Sequence, residues 1–176
     1  MIDTAGQAKE TTPPALWLLG IGTFAVGTDA FVIAGVLPEM AADLDVTPGV
    51  AGQLITIFSL TYALFAPISA TLTQRLSRRT ALIWALVVFV VGNLVAAGGD
   101  TYALAVVGRV IAAIGAASFT PQASAAASAL MSEKRRGHAL GIVMGGLTVA
   151  TALGVPLARS SARPWGGARP WSRWPV

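Results

Sequence analysis

Residues 16–37 read LWLLGIGTFAVGTDAFVIAGVL, and this run decides the fold class. It is apolar almost throughout, and its one charge, Asp29, lies well inside. A transmembrane helix needs roughly 20 mostly apolar residues at 1.5 Å rise each. Working outward, comparable blocks follow at 49–72, 81–98, 102–124 and 139–157, separated by short polar loops. The expected fold is an all-α membrane protein with about five transmembrane helices.

Composition agrees with lipid as the solvent. The 176 residues are 55% hydrophobic and 11% charged, whereas a soluble domain carries about 25% charged residues. Cys is absent, which removes disulfides and thiolate metal sites. The one histidine, His138, sits between arginines and glycines in a loop and cannot form a metal site alone. No metal and no cofactor are expected.

The first run is too long for the apolar part of a signal peptide, Asp29 interrupts it, and only Lys9 stands against Asp3 and Glu10 before it. It reads as a retained span, with 1–15 as a cytoplasmic leader. Lys and Arg concentrate in cytoplasmic loops. The loop after the first span holds Glu39, Asp43 and Asp45 and no base. The next holds Arg75, Arg78 and Arg79, the third only Asp100, and the fourth Lys134, Arg135 and Arg136. This alternation puts the N-terminus and the second and fourth connections in the cytoplasm. Trp17, Trp84 and Tyr102 fall near span ends, as interfacial anchors do.

The final stretch, 158–176, breaks the pattern. ARSSARPWGGARPWSRWPV holds four arginines on the expected outer side, three of the five tryptophans and three of the ten prolines. The formal net charge of +4 belongs to this tail, since eight basic and eight acidic groups remain without its arginines. The charge therefore argues for neither nucleic acid nor anionic lipid as a partner. Starting each codon one base earlier turns Trp into Leu, Met or Val and TCN Ser into Phe, Leu, Ile or Val. The shifted tail finishes the fifth helix and begins a sixth apolar run. The expectation is an aberrant, disordered tail produced by one missing base near codon 157, with the chain as the front of a longer product. Resequencing around that codon tests this, and the absence of any nearby hydrophobic frame would remove it.

Several motifs sit on these elements. Between the second and third spans the chain reads ATLTQRLSRRTAL, residues 70–82. With the surrounding topology it resembles the cytoplasmic loop signature of the major facilitator superfamily. Arg75, Arg78 and Arg79 match that signature; Ala70, Gln74 and Ser77 depart from it, and Gln74 stands where the family usually carries an acid. Anchoring of the loop on the inner side is the plainer reading of the same arginines. LAVVGRVIAAIGAA, residues 104–117, resembles the fourth-helix motif, with Arg109 as its intramembrane arginine and Gly115 as its later glycine. GGLTVATALGVPL, residues 145–157, resembles the fifth-helix signature of drug/proton antiporters, with Gly145 opening the run and Gly154 and Pro156 as the matching pair. Gly141 and Gly145, then Ala150 and Gly154, form small-residue rows that let helices approach closely. Pro156 is expected to bend the helix end. GTDAFVIAGVLPEMAADL (27–44) and SEKRRGHALG (132–141) resemble the first-helix exit and the loop into the fifth helix of the twelve-helix efflux branch. The resemblance covers 16–157 and implies a major facilitator-type N-terminal helix bundle.

Asp29 and Arg109 are the only charges inside the five spans. Each lies about eight residues from the outer end of its span, so both sit about 12 Å below the same face. The resemblance implies that the first and fourth helices line a central cavity, where the two could meet. An isolated carboxylate in lipid tends to be neutral, and a nearby guanidinium favours the charged form. Asp29 is accordingly a candidate proton carrier and Arg109 its modulator, or the two form a static pair that fixes packing. Asn93, Thr28, Gln122 and Thr120 are candidate polar contacts of the cavity.

The resemblance implies a secondary transporter that exports a drug or small solute across the cytoplasmic membrane by proton antiport, with lipid, small-molecule substrate and protons as partners and no nucleic acid. A sugar or amino-acid exporter of the same fold, and a non-transporting membrane scaffold or inactive fragment, are the alternatives. No catalytic constellation is found, and no enzyme is expected. The glycine-rich GIVMGG lies inside a span and lacks the setting of a phosphate loop.

Overall fold

The computed structural model describes residues 12–161, with side chains up to residue 153. Most of the expected leader and all but the start of the expected tail lie outside the described residues. Every regular element described is helical: α1 (Pro14–Asp43), α2 (Pro48–Leu72), α3 (Arg78–Ala97), α4 (Tyr102–Ala129) and α5 (Arg136–Ser161), with single 3-10 turns before α3 and α5. A helix satisfies its backbone groups internally, which is what a hydrocarbon solvent demands. By length and apolarity α1 to α4 are each able to cross a membrane; α5 has 26 residues, part of them without described side chains.

Local chemistry sets the helix starts and stops. Pro14 opens α1, where its missing N–H costs nothing. Thr47, Ser77 and Thr101 cap α2, α3 and α4, each accepting from the amide three residues on. α1 ends on a six-residue reversal. Asp45 takes a left-handed backbone, φ 51°, its N–H bonds Ala42 O at 3.3 Å, and the Val46 N–H bonds Ala41 O at 2.9 Å. That is a Schellman closure with Asp where Gly is usual.

The sequence reading ends the first span at Leu37 and the fourth at Ser124, and the helices run on to Asp43 and Ala129. Hydropathy stops at Leu37, whereas the following PEMAAD can still hydrogen-bond as a helix, with Pro38 inside it. α5 likewise continues to Ser161, past Leu157.

α4 is the centre of the bundle: half of its apolar window is buried, against 17% for α2. α3 and α2 pack against α4, and α1 packs against α5. The core face of α4 is built from alanines, among them Ala112, Ala113, Ala116 and Ala123, with Phe89 and Phe119 filling the space left. Small side chains let helix backbones approach, which is how helices bind one another without a hydrophobic drive. At Gly92 the approach is extreme, because a Cβ there would sit inside the Ala112 backbone of α4. Gly146 does the same between α5 and α1, against the Gly20 carbonyl. Beside it the Thr23 hydroxyl contacts Val143 O at 2.7 Å across the helices, as well as Gly20 O at 2.9 Å in its own.

One packing expectation is corrected. Gly141 and Gly145 do not form a helix contact: a Cβ on either would meet nothing within 4 Å among the described residues. Val143 and Gly146 face α1 there, and Ala150, from the second expected row, meets Gly27 of α1 as well. The outer surface is apolar as well, with Trp17, Leu64, Trp84 and Leu94 exposed where lipid tails belong.

Candidate functional site

Asp29 lies midway along α1 and Arg109 two turns into α4, and the two side chains meet. Arg109 Nη1 lies 2.9 Å from Asp29 Oδ2. The arginine side chain is 2% exposed and the aspartate 15%. Arg109 thus does not reach for the surface, although a central arginine costs roughly 2.5–3.5 kcal/mol on insertion scales. Three things offset that cost: the carboxylate, the hydrogen bond to it, and the Phe58 ring of α2, whose centroid lies 4.1 Å from the guanidinium carbon. Phe58 in turn stacks on Tyr62, one helical turn on, at 6.4 Å between centroids. Arg109 Nε is buried and has no hydrogen-bond partner among the described residues.

Two cavities meet at Arg109, and Asp29 lines the first of them. The first, about 320 Å³, lies between α1, α3 and α4 and is lined by Asp29, Ile33, Asp43, Asn93 and Arg109 among others. The second, about 370 Å³, lies between α1, α2, α4 and α5, with Phe31, Ile55, Phe58, Tyr62 and Leu147 in its wall beside Arg109. A larger hollow of about 560 Å³ between α1 and α5 is lined by Trp17, Phe24 and His138 and reaches neither Asp29 nor Arg109.

The other expected site residues separate. Thr120 lines the aromatic cavity and Asn93 the other. Thr28 bonds back to Phe24 O at 2.8 Å. Gln122 lines none of the three hollows, and its amide nitrogen is buried without a partner among the described residues. Arg75, Arg78 and Arg79 are exposed, on the 3-10 turn and the first turn of α3. Two cations at a helix N-terminus oppose its dipole, so α3 itself does not benefit from them. Gly145 lines the hollow beside His138. Gly154 and Pro156 lie in α5 beyond the last described side chain. Phe58 and Tyr62 were not singled out in the sequence. Their four-residue spacing, which puts two aromatics on one face, was the available signal.

Comparison with known proteins adds a lineage. The sequence model of the Major Facilitator Superfamily matches residues 19–175. The chain is 35% identical over 160 residues to YtbD of Bacillus subtilis (strain 168), an uncharacterized MFS-type transporter, covering 91% of this chain and 40% of the relative. It is 40% identical over 147 residues to YbcL of the same organism, also an uncharacterized MFS-type transporter, covering 84% and 38%. It is 38% identical over 144 residues to a chloramphenicol resistance protein of Streptomyces lividans, covering 82% and 37%. The chain spans about two fifths of the length of these curated relatives.

Proposed function

The chain belongs to the Major Facilitator Superfamily, and from that premise we propose that the intact protein is a proton-coupled exporter of an apolar, drug-like solute in the cytoplasmic membrane. The observation that carries this reading is the buried Asp29–Arg109 pair, whose arginine lines an aromatic cavity. Ligand pockets for apolar molecules pair aromatic and aliphatic walls with a few polar groups. Phe31, Ile55, Phe58, Tyr62 and Leu147, with Arg109 and Thr120 as polar points, fit that description. Ser59, Tyr62 and Thr151 add hydroxyls to the wall, but its aromatic and aliphatic majority favours an apolar solute over a sugar. The similarity to a chloramphenicol resistance protein supports the same substrate class.

Transport in this reading follows alternating access, with the substrate near the midplane between two halves that rock against each other. Contact with Arg109 favours the charged carboxylate of Asp29 over the protonated one. A movement that parts α1 from α4 strips Asp29 of its cation, and it takes up a proton. Return of Arg109 expels that proton on the other side, and the cycle drives the solute outward. The loop arginines support a cytoplasmic N-terminus. Asp29→Asn in the intact gene product is expected to abolish proton-driven efflux while the protein remains in the membrane. Unchanged efflux in vesicles with an imposed pH gradient would end this reading.

A further inference from the structure

We propose that the crevice between α1, α3 and α4 is a water-filled vestibule by which protons reach Asp29 from the outer face, with Asn93 as a positioning residue on its wall. The proposal rests on the reading of Asp29 as the proton carrier and adds the route to it. The crevice is lined by Asp29 and Arg109 deep in the bundle and by Met40 and Asp43 near the end of α1. Asp43 ends α1, fourteen residues beyond Asp29, a distance of about 21 Å along a helix axis. On the facing wall Gly99 lies beyond the end of α3 and Ala105 in the first turn of α4, so the mouth opens where α1 and α3 end. Arg75, Arg78, Arg79 and Lys134 lie at the other end of the bundle, so the mouth faces outward by the loop-charge rule.

A hollow holds water when it has room and polar partners, and one water takes about 30 Å³ of liquid. About 320 Å³ gives that room. The partners are the two carboxylates, the guanidinium and the Asn93 amide. The Asn93 Nδ2 donates to Phe89 O at 3.1 Å, which leaves its Oδ1 to accept from water midway along the wall. Across Arg109 the other cavity is mostly aromatic and aliphatic. The groups facing the pair are Asn93 from α3, Phe58 and Tyr62 from α2, and Leu147 and Thr151 from α5; Asp43 stands at the mouth on α1 itself. Arg109 is therefore a partition, with proton and solute approaching it from different sides.

The chain contains no cysteine, so single replacements report without background. The full chain carrying Met40→Cys, Ile33→Cys, Asn93→Cys or Leu94→Cys is treated in intact cells with a membrane-impermeant methanethiosulfonate cation. Leu94 is the control: it neighbours Asn93 at nearly the same depth but is 66% exposed on the lipid side of α3. Modification is expected at Met40, Ile33 and Asn93 and lost at Leu94. Modification at Met40 alone, at Asn93 and Leu94 equally, or only from the cytoplasmic side of inverted vesicles would overturn the vestibule. The measurement does not read transport. Efflux unchanged by Asp29→Asn would sink the carrier role and leave the labelling pattern as it was.

Discussion

The Ser69 hydroxyl of α2 lies 3.3 Å from the carbonyl oxygen of Ala117 on α4, the carbonyl that Pro121, four residues on, leaves without an amide partner. The same hydroxyl lies 2.9 Å from Ala66 O in its own helix, so one hydrogen is shared between two acceptors. In lipid no water is present to take over an orphaned carbonyl, and a neighbouring helix must do it. Ser69→Ala is expected to lower stability by about 0.6–1.7 kcal/mol, the range of interhelical hydrogen bonds in membranes. Unfolding in mixed detergent measures it. No change would assign the hydrogen wholly to Ala66.

Gly92 and Gly145 should answer differently to the same kind of change. Gly92→Leu forces side-chain volume into the Ala112 backbone, which cannot give way as a side-chain tip can. A loss of at least about 1–3 kcal/mol is expected, with α3 displaced from α4. Gly145→Ala meets open space and should gain up to about 1 kcal/mol from helix propensity alone. Thermal melts of the two variants in detergent compare them directly.

Breaking the buried pair from one side is expected to cost more than removing it. Arg109→Gln leaves the Asp29 carboxylate buried without its cation, worth about 3–5 kcal/mol of destabilisation. Adding Asp29→Asn should restore most of that. Phe58→Leu, which keeps bulk but loses the ring face under the guanidinium, should cost about 0.5–2 kcal/mol. A double-mutant cycle on 29 and 109 reads the coupling, and strict additivity would show that the two do not interact.

The turn after α1 offers a backbone test. Asp45 holds φ 51°, a conformation that costs an L-residue about 1–2 kcal/mol and that Asp tolerates better than branched residues. Asp45→Val should lose about that amount, while Asp45→Gly should stay within about 0.5 kcal/mol, relief of strain offsetting chain entropy. Equal stability of the two variants would remove the backbone argument.

The helical membrane fold was legible because apolar length is a one-dimensional property that a sequence displays directly. That Asp29 and Arg109 could meet was legible from their similar distance to the outer ends of their apolar runs, although α1 itself stays helical for fourteen residues past Asp29. What could not be read is rotation. Gly141 and Gly145 have the spacing of a packing row, yet Val143 and Gly146 make the contact beside them, while Ala150 of the second row does meet α1. Spacing gives a stripe without saying which neighbour it faces. Phe58 beneath Arg109 and Ser69 beside Ala117 are long-range partners for the same reason. Helix ends were blurred where hydropathy and hydrogen bonding part company, as at Pro38, because polar residues stay helical at the membrane surface.

The separation of 80 positions from Asp29 to Arg109 also sets a clock. At about 5–20 residues per second of synthesis, roughly 4–16 s separate the two as they leave the ribosome. Through that interval the aspartate waits in the insertion machinery or the bilayer without its arginine. Biogenesis thus contains a vulnerable window that the finished bundle no longer displays, and slow codons ahead of α4 would lengthen it.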